Sequence, residues 1–230
     1  AKRTAAAERA NDFYVTFPGS LSFDVAYALE GSEEAARNIL EGIERDINLD
    51  SLSSRSGAWS NLMLSHALIG NSARADEMFR TYESDVPPEE RGLQYRINSV
   101  SLEAFGAFGR KDYPAAASAF DVLGGEVVSC GSVCRDHALW GIALETAGRM
   151  EEAVIQYEAH LSGGPLNWNA RRTPWTPTVM ERLSGLYADQ GDVERAVEIL
   201  ESLVAQYSDG DGPFLPYVNR AQRRLGELRE

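Results

Sequence analysis

The sequence predicts an all-α protein: a right-handed superhelical stack of five helix hairpins, closed by a C-terminal capping helix and occupying residues 1–230 as one domain. Three observations predict it. A small residue recurs at Ala36, Ala75, Ala116, Ala153 and Ala196, and each is followed four residues later by a large apolar one: Leu40, Phe79, Phe120, Tyr157 and Leu200. Five residues before those alanines stand Gly31, Gly70, Lys111, Gly148 and Gly191, four of them the residue best suited to a left-handed helix end. The next position holds Ser32, Asn71, Asp112, Arg149 and Asp192, and all but the arginine carry side chains that accept a hydrogen bond from the free amides of a helix start. One helix stops and a second begins at once.

Taken in order, Lys2 to Tyr14 reads as a short leading helix, followed by hairpins near 20–46, 53–84, 89–123, 133–162 and 177–207. Seven residues past each alanine come Ile43, Tyr82, Leu123, His160 and Leu203, extending the apolar stripe by another turn, with only His160 breaking it. A small residue lets the second helix approach the first closely, and the large residue one turn later fills the space toward a neighbouring hairpin. Pro18-Gly19, Pro87-Pro88 and Gly163-Gly164-Pro165 punctuate the joints. The last helix, 215–229, places Val218, Ala221, Leu225 and Leu228 on one stripe and Arg220, Arg223 and Arg224 off it, as a helix covering an open end does.

Composition narrows the function classes. Hydrophobic residues are 43% and charged residues 25% of the chain, which argues for a folded protein rather than a disordered one. The 22 Lys and Arg against 35 Asp and Glu give a formal charge of −13, which repels nucleic acid and anionic membranes and suits a basic or neutral partner. No stretch approaches the roughly 20 apolar residues of a membrane helix, so no direct membrane insertion is expected. The chain starts at Ala1 without Met, which fits a processed chain or a piece of a longer one.

The fourth hairpin, HALWGIALETAGRMEEAVIQYEAHL, and the fifth, MERLSGLYADQGDVERAVEILESLV, resemble the tetratricopeptide repeat; the first three match it weakly, and the alanines recur at longer, less regular intervals than its about 34 residues. From about Asp136 to Leu228 the chain is similar in order to the repeats attached to bacterial serine/threonine protein kinases and related transcriptional or cyclase regulators. Glu181-Arg182-Leu183, Leu186-Tyr187, Gly191-Asp192 and Arg195-Ala196 carry that likeness, followed by Asp209, Asp211, Pro216 and Arg223-Arg224-Leu225. The resemblance implies a regulatory or sensory appendage with no catalytic residues of its own. It also implies a place outside the cytoplasm, beyond a membrane helix, with the cytoplasmic alternative left open.

Cys130-Gly-Ser-Val-Cys134-Arg-Asp-His137 is the one cluster with soft ligands. A Cys-x-x-x-Cys pair lacking a second knuckle reads as a local disulfide or two inert thiols rather than a zinc site, so no metal and no cofactor are expected. Oxidation of the pair would fit an extracytoplasmic location. His66, His137 and His160 all fall inside helical segments, no Ser-His-Asp or Cys-His constellation can be picked out, and the reading is not an enzyme. The expected function is a protein-protein interaction module taking a peptide or partner protein on a concave surface of first helices, lined by Trp59, Asn61, Met63, Tyr95, Asn98 and Arg182. The loop 163–177 adds Trp168, Arg171, Arg172 and Trp175, residue types that anchor interfaces, although holding the loop on the stack explains them as well. Two alternatives stay open: a structural subunit using convex or end surfaces, and an enzyme with a pocket near His137 and Trp140. Partner identity and oligomeric state are not readable.

Overall fold

A computed structural model describes residues 23–47, 49, 52–126, 134–162, 174–208 and 212–230, and among them every regular element is helical. A π-helical turn, Val25–Leu29, precedes α1 (Glu33–Asp46), α2 (Gly57–Leu68), α3 (Ser72–Asp85), α4 (Leu93–Gly109), α5 (Tyr113–Glu126), α6 (Cys134–Thr146), α7 (Met150–Ser162), α8 (Thr176–Asp189), α9 (Val193–Tyr207) and α10 (Leu215–Leu228). Short 3-10 turns stand at Pro88–Glu90 and Gly212–Phe214. The expected leading helix over Lys2 to Tyr14 lies outside the described residues. The helices divide between two compact units, α1 to α5 in the first and α6 to α10 in the second, with Ala28–Gly31 going to the second.

The turn register explains why the chain folds back where it does. Gly31, Gly70, Lys111, Gly148 and Gly191 all take positive φ, between 64° and 83°, so even the lysine adopts the left-handed conformation. That conformation closes the helix end. In the first unit Gly70 N–H donates to Ala67 C=O at 3.0 Å and Asn71 N–H to His66 C=O at 2.9 Å; Lys111 and Asp112 repeat the pair on Phe108 and Ala107. In the second unit Gly148 and Arg149 do so on Glu145 and Leu144, and Gly191 and Asp192 on Ala188 and Tyr187. These bonds satisfy carbonyls that a helix end leaves unpaired.

The capping side chains follow the expectation at three positions. Ser32 accepts from Ala35 N–H at 3.1 Å, Asp112 from Ala115 N–H at 3.3 Å and Asp192 from Arg195 N–H at 3.2 Å. Asn71 is the exception, because its Nδ2 lies 3.3 Å from His66 Nδ1 and no side-chain cap forms.

All five marker alanines are buried, none more than 1% exposed. In the first unit α1, which buries Ala36, Leu40 and Ile43, packs on α2, and α4 packs on both α2 and α5. At its C-terminal end the α4 backbone approaches α2 closely: a side chain at Gly109 would run into the carbonyls of Ala67 and Leu68, the latter at 2.7 Å. The second unit uses glycine differently. Gly141 of α6 leaves room for the ring of Tyr157 from α7, whose Cδ1 would stand 2.5 Å from a β-carbon there. Tyr157 is fully buried, and its hydroxyl donates to Glu145 Oε2 at 2.6 Å. His160, the break in the apolar stripe, is also buried, with Nε2 3.2 Å from Thr176 Oγ1. The stripe tolerates it because its polar edge has a partner. Val218, Ala221 and Leu225 bury α10 against α9 and α8.

Candidate interaction cleft

Helices α7, α8 and α9 frame an open cleft of about 690 Å³ in the second unit. Its walls follow from helical spacing. On α7, Ile155, Glu158, Ala159 and Ser162 fall on one face; on α9, Arg195, Glu198 and Ile199 do the same; Leu183 and Tyr187 of α8 form the floor. The buried stripes of the two walls are turned elsewhere, α7 burying Ala153, Tyr157 and His160 and α9 burying Ala196, Leu200 and Leu203. The cleft is therefore made of residues that the hairpin cores do not consume.

Its electrostatics are ordered by Tyr187. The hydroxyl donates a short hydrogen bond to Glu158 Oε1, and the Arg195 guanidinium lies over the ring, 5.3 Å from its centroid, with Nη1 3.4 Å from the hydroxyl oxygen. Burial and the Glu158 hydrogen bond raise the Tyr187 pKa, so the phenol remains a donor. Arg195 Nε also stands 3.5 Å from Asp192. Beside these fixed polar groups Ile155 is 59% exposed. An aliphatic side chain this open on a cleft wall gains by being covered.

Of the residues expected to line a binding surface, Trp59, Met63, Asn98 and Trp175 are buried. Trp59 and Met63 are core: the Trp59 indole donates to Met78 C=O at 3.1 Å, and both side chains are almost fully buried. Large apolar residues on α2 are taken up by α1, α3 and α4 before a partner can reach them. Asn98 is buried and accepts from Gln94 at 3.1 Å. Tyr95 is half-buried, stacked on Tyr82, with its hydroxyl on Glu83 Oε1 at 2.7 Å and the Arg91 guanidinium 5.0 Å from its centroid. Asn61 is exposed. In the second unit Arg182 donates to Glu145 Oε2 at 3.0 Å, completing a chain with Tyr157. Trp175 is buried, so it holds the start of α8 rather than presenting its ring. Trp168, Arg171, Arg172 and Cys130 lie outside the described residues, and only the backbone of Cys134 is described, at the start of α6.

His137 stacks on Trp140 with ring centroids 6.3 Å apart, and its Nδ1 lies 2.9 Å from Gln156 Oε1. Both partners are neutral side chains, and they orient the imidazole. Among the described residues no three His, Cys, Asp or Glu side chains are grouped to hold a metal ion, and no helix is long and apolar enough to cross a membrane.

The cleft residues Ile155, Glu158, Tyr187, Arg195, Glu198 and Ile199 were not marked as binding residues by sequence reasoning; Tyr187 and Arg195 entered it only through the family resemblance. A signal existed: Ile155 stands two residues after Ala153, off the stripe that Ala153, Tyr157 and His160 define, and an aliphatic residue there has no core to enter. No protein-family model, no curated protein and no solved structure matches this chain.

Proposed function

We propose that this chain is a helical repeat of the tetratricopeptide type that works by binding another protein, as a regulatory or sensory part of a larger protein or complex. The observation that carries the proposal is the open cleft between α7, α8 and α9, where an exposed Ile155 lies beside polar groups already fixed in place by Tyr187. Apolar surface next to oriented donors and acceptors is what recognition of a peptide or helix uses. The five repeated turns and five buried alanines support the repeat assignment. The role proposed is binding rather than catalysis; His137 and His160 lie within hydrogen-bond distance of Gln156 and Thr176 on neighbouring helices.

Photo-crosslinking tests this. A photoreactive amino acid placed singly at the exposed positions Val122, Ile155 and Leu215 of the full chain, expressed in its native cell, is expected to capture one recurrent protein from at least one position. The absence of any protein captured at every position would remove the binding role.

A further inference from the structure

We infer that the cleft between α7, α8 and α9 receives a basic amphipathic segment of the partner protein, its aliphatic side chains against Ile155 and Ile199 and its lysines or arginines toward Glu151, Glu158, Glu194 and Glu198. This assignment rests on the binding role proposed above and specifies its chemistry.

Charge complementarity carries it. Glu158 and Glu198 line the cleft itself. Glu151 lies four residues before Ile155 and Glu194 four before Glu198, so each extends its wall by one helical turn, and both are exposed. Two lining carboxylates, with two more a helical turn beyond them, thus accompany one lining guanidinium, Arg195, which is engaged by Asp192 and by the Tyr187 ring. Among the described residues none of Glu151, Glu194 and Glu198 is in an ion pair, so the cation they lack is one a partner can bring. Glu158 is already aimed. Tyr187 holds its Oε1, and a carboxylate so fixed can still accept from a lysine or arginine at Oε2.

The apolar half selects an amphipathic occupant over a simple polycation. Ile155 is 59% exposed beside the part-exposed Ile199 and Leu161, and these give an aliphatic side chain something to cover. From Glu151 to Ser162 the α7 wall runs about 16 Å at 1.5 Å per residue, enough for roughly three turns of a bound helix. The formal charge of −13 favours encounter with a basic segment over an acidic one.

The test uses the full chain and three synthetic fluorescent peptides read by anisotropy. One is a leucine-lysine peptide with its leucines on one helical face, the second replaces every lysine by glutamate, and the third has the composition of the first with the leucines dispersed. The first is expected to bind, to weaken with added salt, and to lose at least about tenfold in affinity on Ile155→Asp or Glu198→Lys. Leu93→Asp, which changes a side chain 52% exposed in the first unit, is expected to leave binding unchanged. Circular dichroism melts verify that the variants fold. Equal binding of all three peptides, or undiminished binding to the Ile155→Asp/Glu198→Lys double variant, overturns the assignment. Concentration-dependent self-association abolished by Ile155→Asp also overturns it, since the occupant would then be a second copy. If the protein captured by photo-crosslinking binds the double variant with full affinity, the cleft assignment fails while the binding role stands. Capture of no protein at any position fails the role itself.

Discussion

His66 shows how one side chain can make the first unit sensitive to acid. It is buried, its Nδ1 faces Asn71, and its Nε2 stands 3.4 Å from Glu44 Oε1 without completing a hydrogen bond. Burial is the largest influence on its pKa and lowers it; the Glu44 carboxylate opposes that, while Arg74 and Arg37 add to the lowering, and the net direction is down. A histidine that binds its proton less readily when folded than when unfolded contributes stability above its ordinary pKa of 6.5 and loses it as the pH falls below that value. The expected slope is at most about 1.4 kcal/mol per pH unit for one proton. Urea unfolding at neutral and mildly acidic pH checks this: the wild type should lose stability relative to His66→Gln on acidification. Parallel pH profiles for the two proteins would show that His66 exchanges no proton on unfolding. At this scale the turns were legible and the caps less so. Positive φ at Gly31, Gly70, Gly148 and Gly191 follows from the residue type. Asn71 leaves its capping role for a buried histidine that no local pattern announces.

Glycine inside α4 carries a contrast between two neighbouring sites. A methyl group at Gly109 meets the backbone carbonyls of Ala67 and Leu68, which cannot move without shifting α2, whereas at Gly106 it meets only Arg110 Nη1 at 3.2 Å, the end of a flexible side chain. Gly109→Ala is therefore expected to destabilise the protein by about 1–3 kcal/mol. Gly106→Ala is expected to be neutral or stabilising by up to about 1 kcal/mol, because alanine is the better helix former. Denaturation midpoints of the two variants decide it, and equal effects would mean that α4 and α2 are not in close contact. The same logic applies in the second unit, where Ala153 and Ala196 are fully buried. Ala153→Leu and Ala196→Leu should each cost about 1–3 kcal/mol through overpacking. Unchanged midpoints in both would break the repeat register. The elements themselves were legible because alanine, large apolar residue and turn recur in phase within each hairpin. The side chains forming the cleft walls were not, since α7 and α9 face one another only after α8 has packed between them, a relation that helical period alone does not contain.

At the scale of the whole molecule the dominant quantity is the formal charge of −13, and its sign sets how stability should respond to salt. Two effects compete. Screening weakens the repulsion among excess carboxylates, which stabilises the compact state, and it also weakens the ion pairs. Those pairs lie at the surface: Arg55–Glu90, Arg149–Glu152, Arg195–Asp192 and Arg229–Glu201 all have partners about a third or more exposed. Pairs of that kind contribute about 0–1 kcal/mol each and many contribute nothing measurable. Better-sheltered pairs, such as Arg74–Glu44 and Arg182–Glu145, are screened less. The repulsion should therefore dominate. Raising sodium chloride from a few millimolar to about 0.15 M, where the screening length is about 8 Å, is expected to raise the thermal midpoint followed by circular dichroism. The same change should weaken the leucine-lysine peptide, because the carboxylates whose repulsion is relieved are the ones that attract it. A midpoint that falls with salt would mean that the arginine pairs outweigh the excess negative charge, and the peptide's salt dependence would then have to be measured against that loss of stability.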